Sequence, residues 1–333
     1  MKKLVAGGTG FIGGEIVRQL VQAGHEVKAI VREKSNLRNL AHLELERVTG
    51  DIRDKDAIKR ALTGCDTFFL TAAYFAHWAP NPRLLYEVNV GGTRASLQAA
   101  LEAGVERVVY TSTNNAIGAA AGETPANEEK EFNYWQTGDH YSMSKYIAEN
   151  EARILAIKGL PVVFVNPTLV IGRGDLKPTP SGQMIIDVVN RNLPGYIDGG
   201  VNIVDVEDVA RGHLLAAEKG RIGERYLLGN RNVSVREYIE LIANVANVKA
   251  PKLKIPYKMA VALGKLFELQ AAMTRKPPMV TASEVRIGRM REWYDCSKAI
   301  KELGFSQTPI EETIRKAIAW FRENNYLGRP KDA

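Results

Sequence analysis

The chain has 333 residues, of which 45% are hydrophobic and 25% are charged, with a formal net charge of +7. Its apolar runs are too short for a membrane span, its two cysteines form neither a disulfide framework nor a metal-ligand cluster, and its basic residues form no sustained run typical of nucleic-acid binding. We therefore expect a globular, cytoplasmic protein without a signal peptide or a metal site, and we attribute the positive charge to an anionic cofactor and substrate.

The chain begins with a short apolar run that stops in glycines and resumes as a helical pattern. Residues 4–6 fit a strand buried on both faces, and apolar residues recur at helical spacing after the glycines. Two glycine registers fit the loop: G-x-G-x-x-G over Gly8, Gly10 and Gly13, and G-x-x-G-x-x-G when Gly7 takes the place of Gly8. Because a helix N-terminus attracts phosphate, this order of strand, glycine loop and helix predicts a dinucleotide-binding site.

The end of the next predicted strand, 25–31, distinguishes two cofactors. An acidic residue there accepts hydrogen bonds from the ribose of NAD, whereas a cation accommodates the additional phosphate of NADP. The sequence has Arg32 at this point, followed by Lys34 and Arg38, with Glu33 as the only opposing charge. The pattern favours NADP over NAD, and the alternative is that Arg32 is an exposed turn residue without a ligand.

Strands and helices alternate through residue 110. We predict strands at 43–48, 66–70 and 106–110, and helices at 54–62 and 84–103. Such alternation is typical of β–α–β units around a parallel sheet, in which ligands bind at the carboxyl ends of the strands. The predicted fold class is α/β: a Rossmann doubly wound parallel sheet with a smaller, mostly helical C-terminal substrate lobe.

Two segments after predicted strands carry reactive side chains. Residues 111–115 are rich in hydroxyl and amide groups, and the helix that begins near Asp139 carries Tyr141 and Lys145. Four residues apart, the phenol and the ammonium share one helix face. A neighbouring cation and an oxidised nicotinamide stabilise a phenolate and lower its pKa, so we interpret Tyr141 as the acid–base group for a carbonyl or an alcohol. For this spacing alone, the alternative is a solvated helix face.

These motifs resemble those of the extended short-chain dehydrogenases/reductases, above all the dihydroflavonol-reductase-like branch. The resemblance covers nearly the whole chain and is carried by AGGTGFIG, VRE, GDIRD, NVGGT, RVVYTST, HYSMSK, VNPTLVIGRGD and DCSKAIKELGF. Bacterial hopanoid-associated sugar epimerases share much of this pattern, including KPTPSG at 177–182. The resemblance implies a catalytic set of Thr113, Tyr141 and Lys145. It also implies cofactor contacts at Gly7, Thr9, Gly10, Phe11, Ile12, Gly13, Arg32, Asp51, Ile52, Thr71, Ala72, Ala73, Asn89, Thr111, Asn166, Pro167 and Thr168.

The second half of the chain predicts a substrate lobe. We place the dinucleotide-binding domain at 1–173, with 200–230 returning to it, and the substrate lobe and C-terminal tail at 174–199 and 231–333. Ser234, Thr281 and Thr308 each precede a Glu by three residues, a pattern that predicts capped helix starts. The amphipathic segment 257–272 is followed by two basic residues, and we interpret it as a lid over an apolar substrate in preference to a membrane-docking helix.

The function that the sequence predicts is NADPH-dependent reduction of a ketone or aldehyde on a bulky or aromatic small molecule. The alternative within the fold is a nucleotide-sugar epimerase or dehydratase with tightly bound NAD(P). An alternative of another class is a non-enzymatic NADP-sensing protein, which the complete Thr-Tyr-Lys set disfavours. We expect a small-molecule carbonyl substrate and no nucleic-acid partner, and we leave a homodimer open. The candidate substrate residues are Tyr74, Phe75, Trp78, Asn114, Asn115, Lys177 and Tyr196, with Trp135 as a further aromatic side chain of the pocket.

Overall fold

Seven parallel strands form the main sheet of the protein. The structure, a computed structural model, describes residues 2–120 and 122–328, so Met1, Ala121 and the last part of the predicted tail, residues 329–333, lie outside the described residues. The strands of this sheet are β1 (Lys2–Ala6), β2 (Val27–Val31), β3 (Glu46–Thr49), β4 (Cys65–Leu70), β5 (Arg107–Thr111), β6 (Val162–Pro167) and β9 (Arg225–Leu228). Their order across the sheet is β3-β2-β1-β4-β5-β6-β9. This topology confirms the predicted doubly wound sheet.

Helices cover both faces of this sheet. On one face α1 packs beside α7, and on the other α2, α4 and α5 pack in sequence. Successive residues of β5, Val108 and Val109, enter opposite cores and are both fully buried. The helices are α1 (Phe11–Gln22), α2 (Lys55–Leu62), α3 (Arg83–Tyr86), α4 (Thr93–Ala103), α5 (His140–Ile157), α6 (Pro180–Val189), α7 (Val206–Lys219), α8 (Val235–Ala246), α9 (Tyr257–Thr274), α10 (Ala282–Arg289) and α11 (Ile310–Glu323).

A second sheet of three strands, in the order β10-β8-β7, forms the base of the C-terminal lobe. It consists of β7 (Leu169–Ile171), β8 (Gly200–Asp205) and β10 (Arg231–Ser234), and helices α6, α8 and α11 pack against it around one apolar core. Of the segment 200–230, which we expect to return to the dinucleotide-binding domain, β9 lies in the main sheet and α7 packs against α1, whereas β8 lies in the second sheet.

Three predicted elements differ from those observed, and the first is the strand predicted over 43–48, which begins at Glu46 and ends at Thr49. The second strand begins at Val27 instead of residue 25, because the backbone N–H of His25 donates to the Leu20 carbonyl and so completes the end of α1. The helix predicted over 84–103 is interrupted by a wide π-helical turn at Glu87–Gly92, where a Cβ on Gly92 would lie 2.7 Å from Ile52 Cδ1.

The capping residues set most of the helix starts that the sequence predicts. Asp139 accepts from the backbone N–H of Ser142, Ser234 accepts from that of Glu237, and Thr281 forms a complete capping box with Glu284. The prediction for Thr308 is wrong, because its hydroxyl donates to Asp208 at 3.0 Å and α11 begins after Pro309 without a side-chain cap. Within the described ranges, the structure contains no helix that combines the length and the apolar character needed to cross a membrane.

Candidate functional site

The glycine loop after β1 packs closely against the segment after β4 at the carboxyl edge of the sheet. Gly7 has a φ of +94°, and a Cβ there would lie 2.5 Å from Thr71 Oγ1. A Cβ on Gly13 would meet the Gly7 carbonyl oxygen and lie 2.6 Å from Thr71 Oγ1. By contrast, a Cβ on Gly8 would meet only side-chain atoms, at 3.0 Å or more. The fold therefore requires glycine at position 7 more strictly than at position 8, which favours the register of Gly7, Gly10 and Gly13.

The surroundings of this loop fit a nicotinamide dinucleotide. Helix α1 begins after Gly10 without a side-chain cap and has no acidic residue in its first turn, so its first N–H groups and its dipole are directed toward a phosphate position. At the carboxyl ends of β5 and β6, Ser112 Oγ and Asn166 Oδ1 are buried and have no hydrogen-bond partner among the described residues. These unpaired atoms are suited to hydrogen bonds with a cofactor.

The residues predicted to select the cofactor follow β2. Arg32 and Lys34 are exposed, and neither forms an ion pair with any described residue. Arg38 instead donates to Asn324 Oδ1 at 2.5 Å, so its guanidinium is held at the end of α11. Asp51 forms a bidentate pair with Arg53, whose guanidinium holds the pKa of that carboxyl below its usual range.

The other predicted cofactor residues lie along the same edge, but several have structural partners. Thr71 donates to the Ala6 carbonyl at 2.9 Å, and Asn89 donates to the Tyr74 carbonyl at 3.0 Å. The Thr111 hydroxyl contacts His213 Nε2 at 2.8 Å, so only its carbonyl takes part in the site. The remaining ones occupy the glycine loop and the first turn of α1, the segments after β3 and β4, and the end of β6 with the residue after it: Thr9, Phe11, Ile12, Ile52, Ala72, Ala73, Pro167 and Thr168.

Tyr141 and Lys145 are buried on the same side of α5, at the end of β5. Burial raises the pKa of Tyr141, and the charge on Asp139 acts in the same direction, while a hydrogen bond with Thr113 lowers it. The lowered pKa that the sequence predicts depends on an oxidised nicotinamide as well as on a cation, so it stays a prediction for the protein with its cofactor; among the protein's own groups, desolvation dominates. The phenol therefore keeps its proton at neutral pH.

Lys145 connects α5 to the end of β5. Its ammonium donates to the Thr111 carbonyl at 2.9 Å and lies 5.0 Å from the centroid of the Tyr110 ring. Burial lowers the pKa of Lys145 to about 8, against the raising effect of Glu149. That carboxylate in turn accepts from Asn166 Nδ2 at 2.9 Å, and the same amide donates to the Thr113 carbonyl at 3.0 Å. The Asn166 amide thus joins the Thr113 carbonyl to Glu149, and the end of β5 holds the Lys145 ammonium through a separate hydrogen bond.

His77 is a residue of this site that sequence reasoning missed. Its Nδ1 lies 2.9 Å from Asp139 Oδ1, and its ring centroid lies 5.8 Å from that of Tyr141. Burial lowers the pKa of His77, but the hydrogen bond to Asp139 and the nearby carboxylates raise it above its usual value overall. Since 62 positions separate the two partners, no local pattern could have paired them.

Aromatic residues of the loop after β4 pack against Tyr141, one of the predicted catalytic residues. The Phe75 ring packs edge-on against Tyr141, with centroids 4.5 Å apart. A cavity of about 330 Å³ lies beside this cluster and is lined by His77, Trp78, Leu85 and Arg286, among others. Trp135 lies elsewhere: it is 55% exposed and packs against Phe132 and Tyr146.

The other predicted substrate residues are not gathered at this cavity. Asn115 donates to Ser142 Oγ at 3.0 Å, and the Tyr74 backbone N–H donates to Asn89 Oδ1 at 2.7 Å. Lys177 is exposed beyond β7, and Tyr196 lines a different cavity of about 270 Å³ with Arg236 and Lys254.

A second group that the sequence did not reveal surrounds Asn114. Its amide donates to the Tyr294 hydroxyl at 3.1 Å and to Glu292 Oε1 at 3.3 Å, and the Tyr134 hydroxyl donates to the same carboxylate oxygen at 2.8 Å. Burial raises the pKa of Glu292 to about 7. The side-chain amide of Asn114 is therefore already hydrogen-bonded to other residues of the protein.

This sheet, with its glycine loop and its buried tyrosine and lysine, defines an extended short-chain dehydrogenase/reductase. Residues 3–229 match the model of the NAD dependent epimerase/dehydratase family, so the chain belongs to that family. The match confirms the resemblance seen in the sequence and makes the protein an oxidoreductase-type enzyme that uses a nicotinamide cofactor.

Similar proteins include both reductases and epimerases. A protein of Synechocystis sp. named "Putative dihydroflavonol 4-reductase" is 37% identical over 97% of this chain and 95% of its own length. "Sterol demethylase protein B" of Methylococcus capsulatus is 32% identical over 98% of this chain and 100% of its own. The crystal structure of a nucleoside-diphosphate-sugar epimerase from Pseudomonas aeruginosa superposes with a TM-score of 0.82 at 30% identity, over 98% of this chain and 99% of the other.

Proposed function

We propose that the protein catalyses the NADPH-dependent reduction of a ketone or aldehyde on a bulky or aromatic small molecule. The observation that carries this proposal is the setting of Tyr141, a buried phenol that packs against Phe75 and lies next to the cavity lined by His77 and Trp78. The lining of this cavity is mixed: Trp78 and Leu85 provide apolar surface, and His77, Glu268 and Arg286 provide polar groups. Such a lining suits a bulky molecule that carries a polar carbonyl group.

The residues of the site have separable roles in this reaction. When bound, the nicotinamide cofactor supplies the hydride that reduces the carbonyl carbon. Tyr141 holds its proton at neutral pH, because burial raises its pKa, and donates that proton from Oη to the carbonyl oxygen. The Thr113 hydroxyl orients the carbonyl, and the Lys145 ammonium, mostly protonated near neutral pH, stabilises the phenolate that remains.

The preference for NADPH rests on the end of β2. Arg32 and Lys34 are exposed cations without an ion-pair partner among the described residues, so both are available to a 2′-phosphate. Asp51, the nearby acid, is already neutralised by Arg53 at 2.9 Å. Glu33, the acid next to Arg32 in sequence, is exposed and has no ion-pair partner among the described residues, so two free cations and one free carboxylate follow β2. This balance favours a phosphate over a ribose hydroxyl.

The epimerase alternative is supported by the Pseudomonas structure but not by the cavity. A nucleotide sugar requires cations for its diphosphate. Among the described residues that line the 330 Å³ cavity, Arg286 is the only Arg or Lys, and its guanidinium already donates to the Thr137 carbonyl at 2.9 Å. The reductase relative from Synechocystis favours the same conclusion.

The test is a panel of aldehydes, ketones and nucleotide sugars, followed by consumption of NADPH or NADH. We expect NADPH to be consumed with bulky or aromatic carbonyls, and Tyr141→Phe to lower kcat by about 10²-fold or more with nearly unchanged NADPH binding. Tyr146→Phe, on the same helix but stacked on Phe132, is the matched control and should retain activity. Purified protein that carries tightly bound NAD(P), interconverts a UDP- or GDP-sugar without added cofactor and leaves every simple carbonyl unchanged would transfer the assignment to the epimerases.

A further inference from the structure

The net positive charge of the chain is confined to one segment. Residues 249–292 contain ten Lys and Arg but only three Glu and no Asp, a net charge of +7, which equals that of the entire chain. The whole chain has 45 basic and 38 acidic residues, so the remainder has 35 of each and is neutral overall. The surplus therefore lies outside the sequence predicted to form the dinucleotide-binding domain, so an anionic cofactor alone does not account for it.

The same segment exposes an apolar helix face. Of the fourteen large apolar side chains that are exposed in the described residues, seven lie between 253 and 279. Five of them follow helical spacing along one side of α9 and form what we call the α9 stripe: Met259, Leu263, Leu266, Leu269 and Met273.

The opposite side of α9 is already occupied by packing. Ala260, Gly264 and Ala271 are its buried residues, and a Cβ on Gly264 would lie 2.7 Å from the backbone nitrogen of Ala282 in α10. The α9 stripe therefore faces solvent, and of α9 only Glu268 lines the cavity beside the catalytic residues. An apolar lid over the substrate, as the sequence predicts for this helix, does not match this orientation.

Each acidic group of the segment is turned inward. Glu268 accepts from the backbone N–H of Ala282 at 2.8 Å, Glu284 belongs to the capping box of α10, and Glu292 accepts from the Tyr134 hydroxyl. The cations on and after α9 are exposed: Lys258, Lys265, Arg275 and Lys276. The surface around the α9 stripe is thus apolar at its centre and cationic at its edges.

We propose that the α9 stripe docks on the surface of an anionic lipid bilayer. An amphipathic helix that lies in the interface places Leu and Met side chains at the boundary of the acyl chains, while flanking Lys and Arg bind anionic headgroups. A second copy of this chain is a poorer occupant, because docking two such faces would bring two segments of net charge +7 together. This inference does not depend on the proposed reductase function.

The experiment is co-sedimentation of the full-length protein with vesicles. We expect binding to vesicles that contain phosphatidylglycerol, at least tenfold weaker binding to vesicles of phosphatidylcholine alone, and loss of binding as salt screens the headgroups. The double variant Leu266→Glu/Leu269→Glu should bind the anionic vesicles at least about tenfold more weakly. Ile222→Glu is the matched control, since Ile222 is 58% exposed, as Leu266 is, but lies outside the segment.

A charge variant separates docking from misfolding. Lys258→Glu/Lys265→Glu changes only exposed side chains, and we expect at least about a tenfold loss of vesicle binding with an unchanged melting temperature. Absence of wild-type binding to phosphatidylglycerol vesicles at low salt would overturn the proposal, as would equal binding by the wild type and both double variants. A wild-type dimer in light scattering that the leucine variant converts to a monomer, without vesicle binding, would assign the α9 stripe to self-association instead.

Discussion

The buried ammonium of Lys145 is expected to cost the protein stability at neutral pH. Burial lowers its pKa from the ordinary 10.5 to about 8, a difference that corresponds to roughly 3 kcal/mol. The unfolded chain binds more protons than the folded one between these two values, so the cost is complete below about pH 8 and disappears as the pH rises toward 10.5. Lys145→Met removes the charge but also the hydrogen bond to the Thr111 carbonyl, worth about 1–2 kcal/mol.

We therefore expect Lys145→Met to be more stable than the wild type by about 1–2 kcal/mol near pH 7, although it loses activity. This advantage should shrink by about 2 kcal/mol when the pH is raised to about 9.5. Urea unfolding of the cofactor-free proteins at both pH values measures the difference in free energy of unfolding between the variant and the wild type. The contributions of all other titrating groups cancel in this difference. Lys158→Met, at the exposed end of α5, is the control and should show no such pH dependence. A variant less stable than the wild type near pH 7, or a difference independent of pH, would refute the reasoning.

Three further substitutions test the cofactor and substrate sites. Arg32→Asp should weaken NADPH binding at least tenfold in a fluorescence titration while NADH binding is retained, and an equal loss for both cofactors would contradict the assignment. Gly13→Ala should abolish cofactor binding, because the new Cβ meets the Gly7 carbonyl oxygen, whereas Gly91→Ala, with open space around it, should be neutral in calorimetry. Trp78→Ala should raise KM for the carbonyl more than it lowers kcat, since Trp78 lines the cavity without contacting the reacting atoms; a selective fall in kcat would speak against this role.

The fold could be predicted from the sequence because its determinants are local. Buried strands such as β5, predicted over 106–110, have apolar residues at their centre, and the capping residues Asp139 and Ser234 lie next to the helices they start. The parallel topology then brings the carboxyl ends of the strands together, so the glycine loop and residues 111–115 share one edge. Thr308 shows the limit of such patterns, because a tertiary hydrogen bond to Asp208 replaces the local cap.

The less predictable part of the site depends on contacts between distant residues. Asp139 meets His77 across 62 positions, and Tyr134 meets Glu292 across 158. Whether the pKa of Tyr141 is raised or lowered also depends on how deeply the phenol is buried. The spacing of Tyr141 and Lys145 does not reveal that burial. Sequence periodicity identifies which residues can share a helix face, but desolvation is a property of the whole fold.

The chain passes between the two sheets three times, twice with very short connections. Only Thr168 separates β6 from β7 and only Gly229 and Asn230 separate β9 from β10, whereas the passage from β8 to β9 runs through α7 and residues 220–224. The three strands of the smaller sheet are therefore interleaved in sequence with those of the larger one. Neither layer can be obtained as a continuous fragment, since residues 174–328 lack β7 and residues 2–173 lack β9. Limited proteolysis should accordingly yield nicked protein that stays associated, and the two layers should unfold as one cooperative unit.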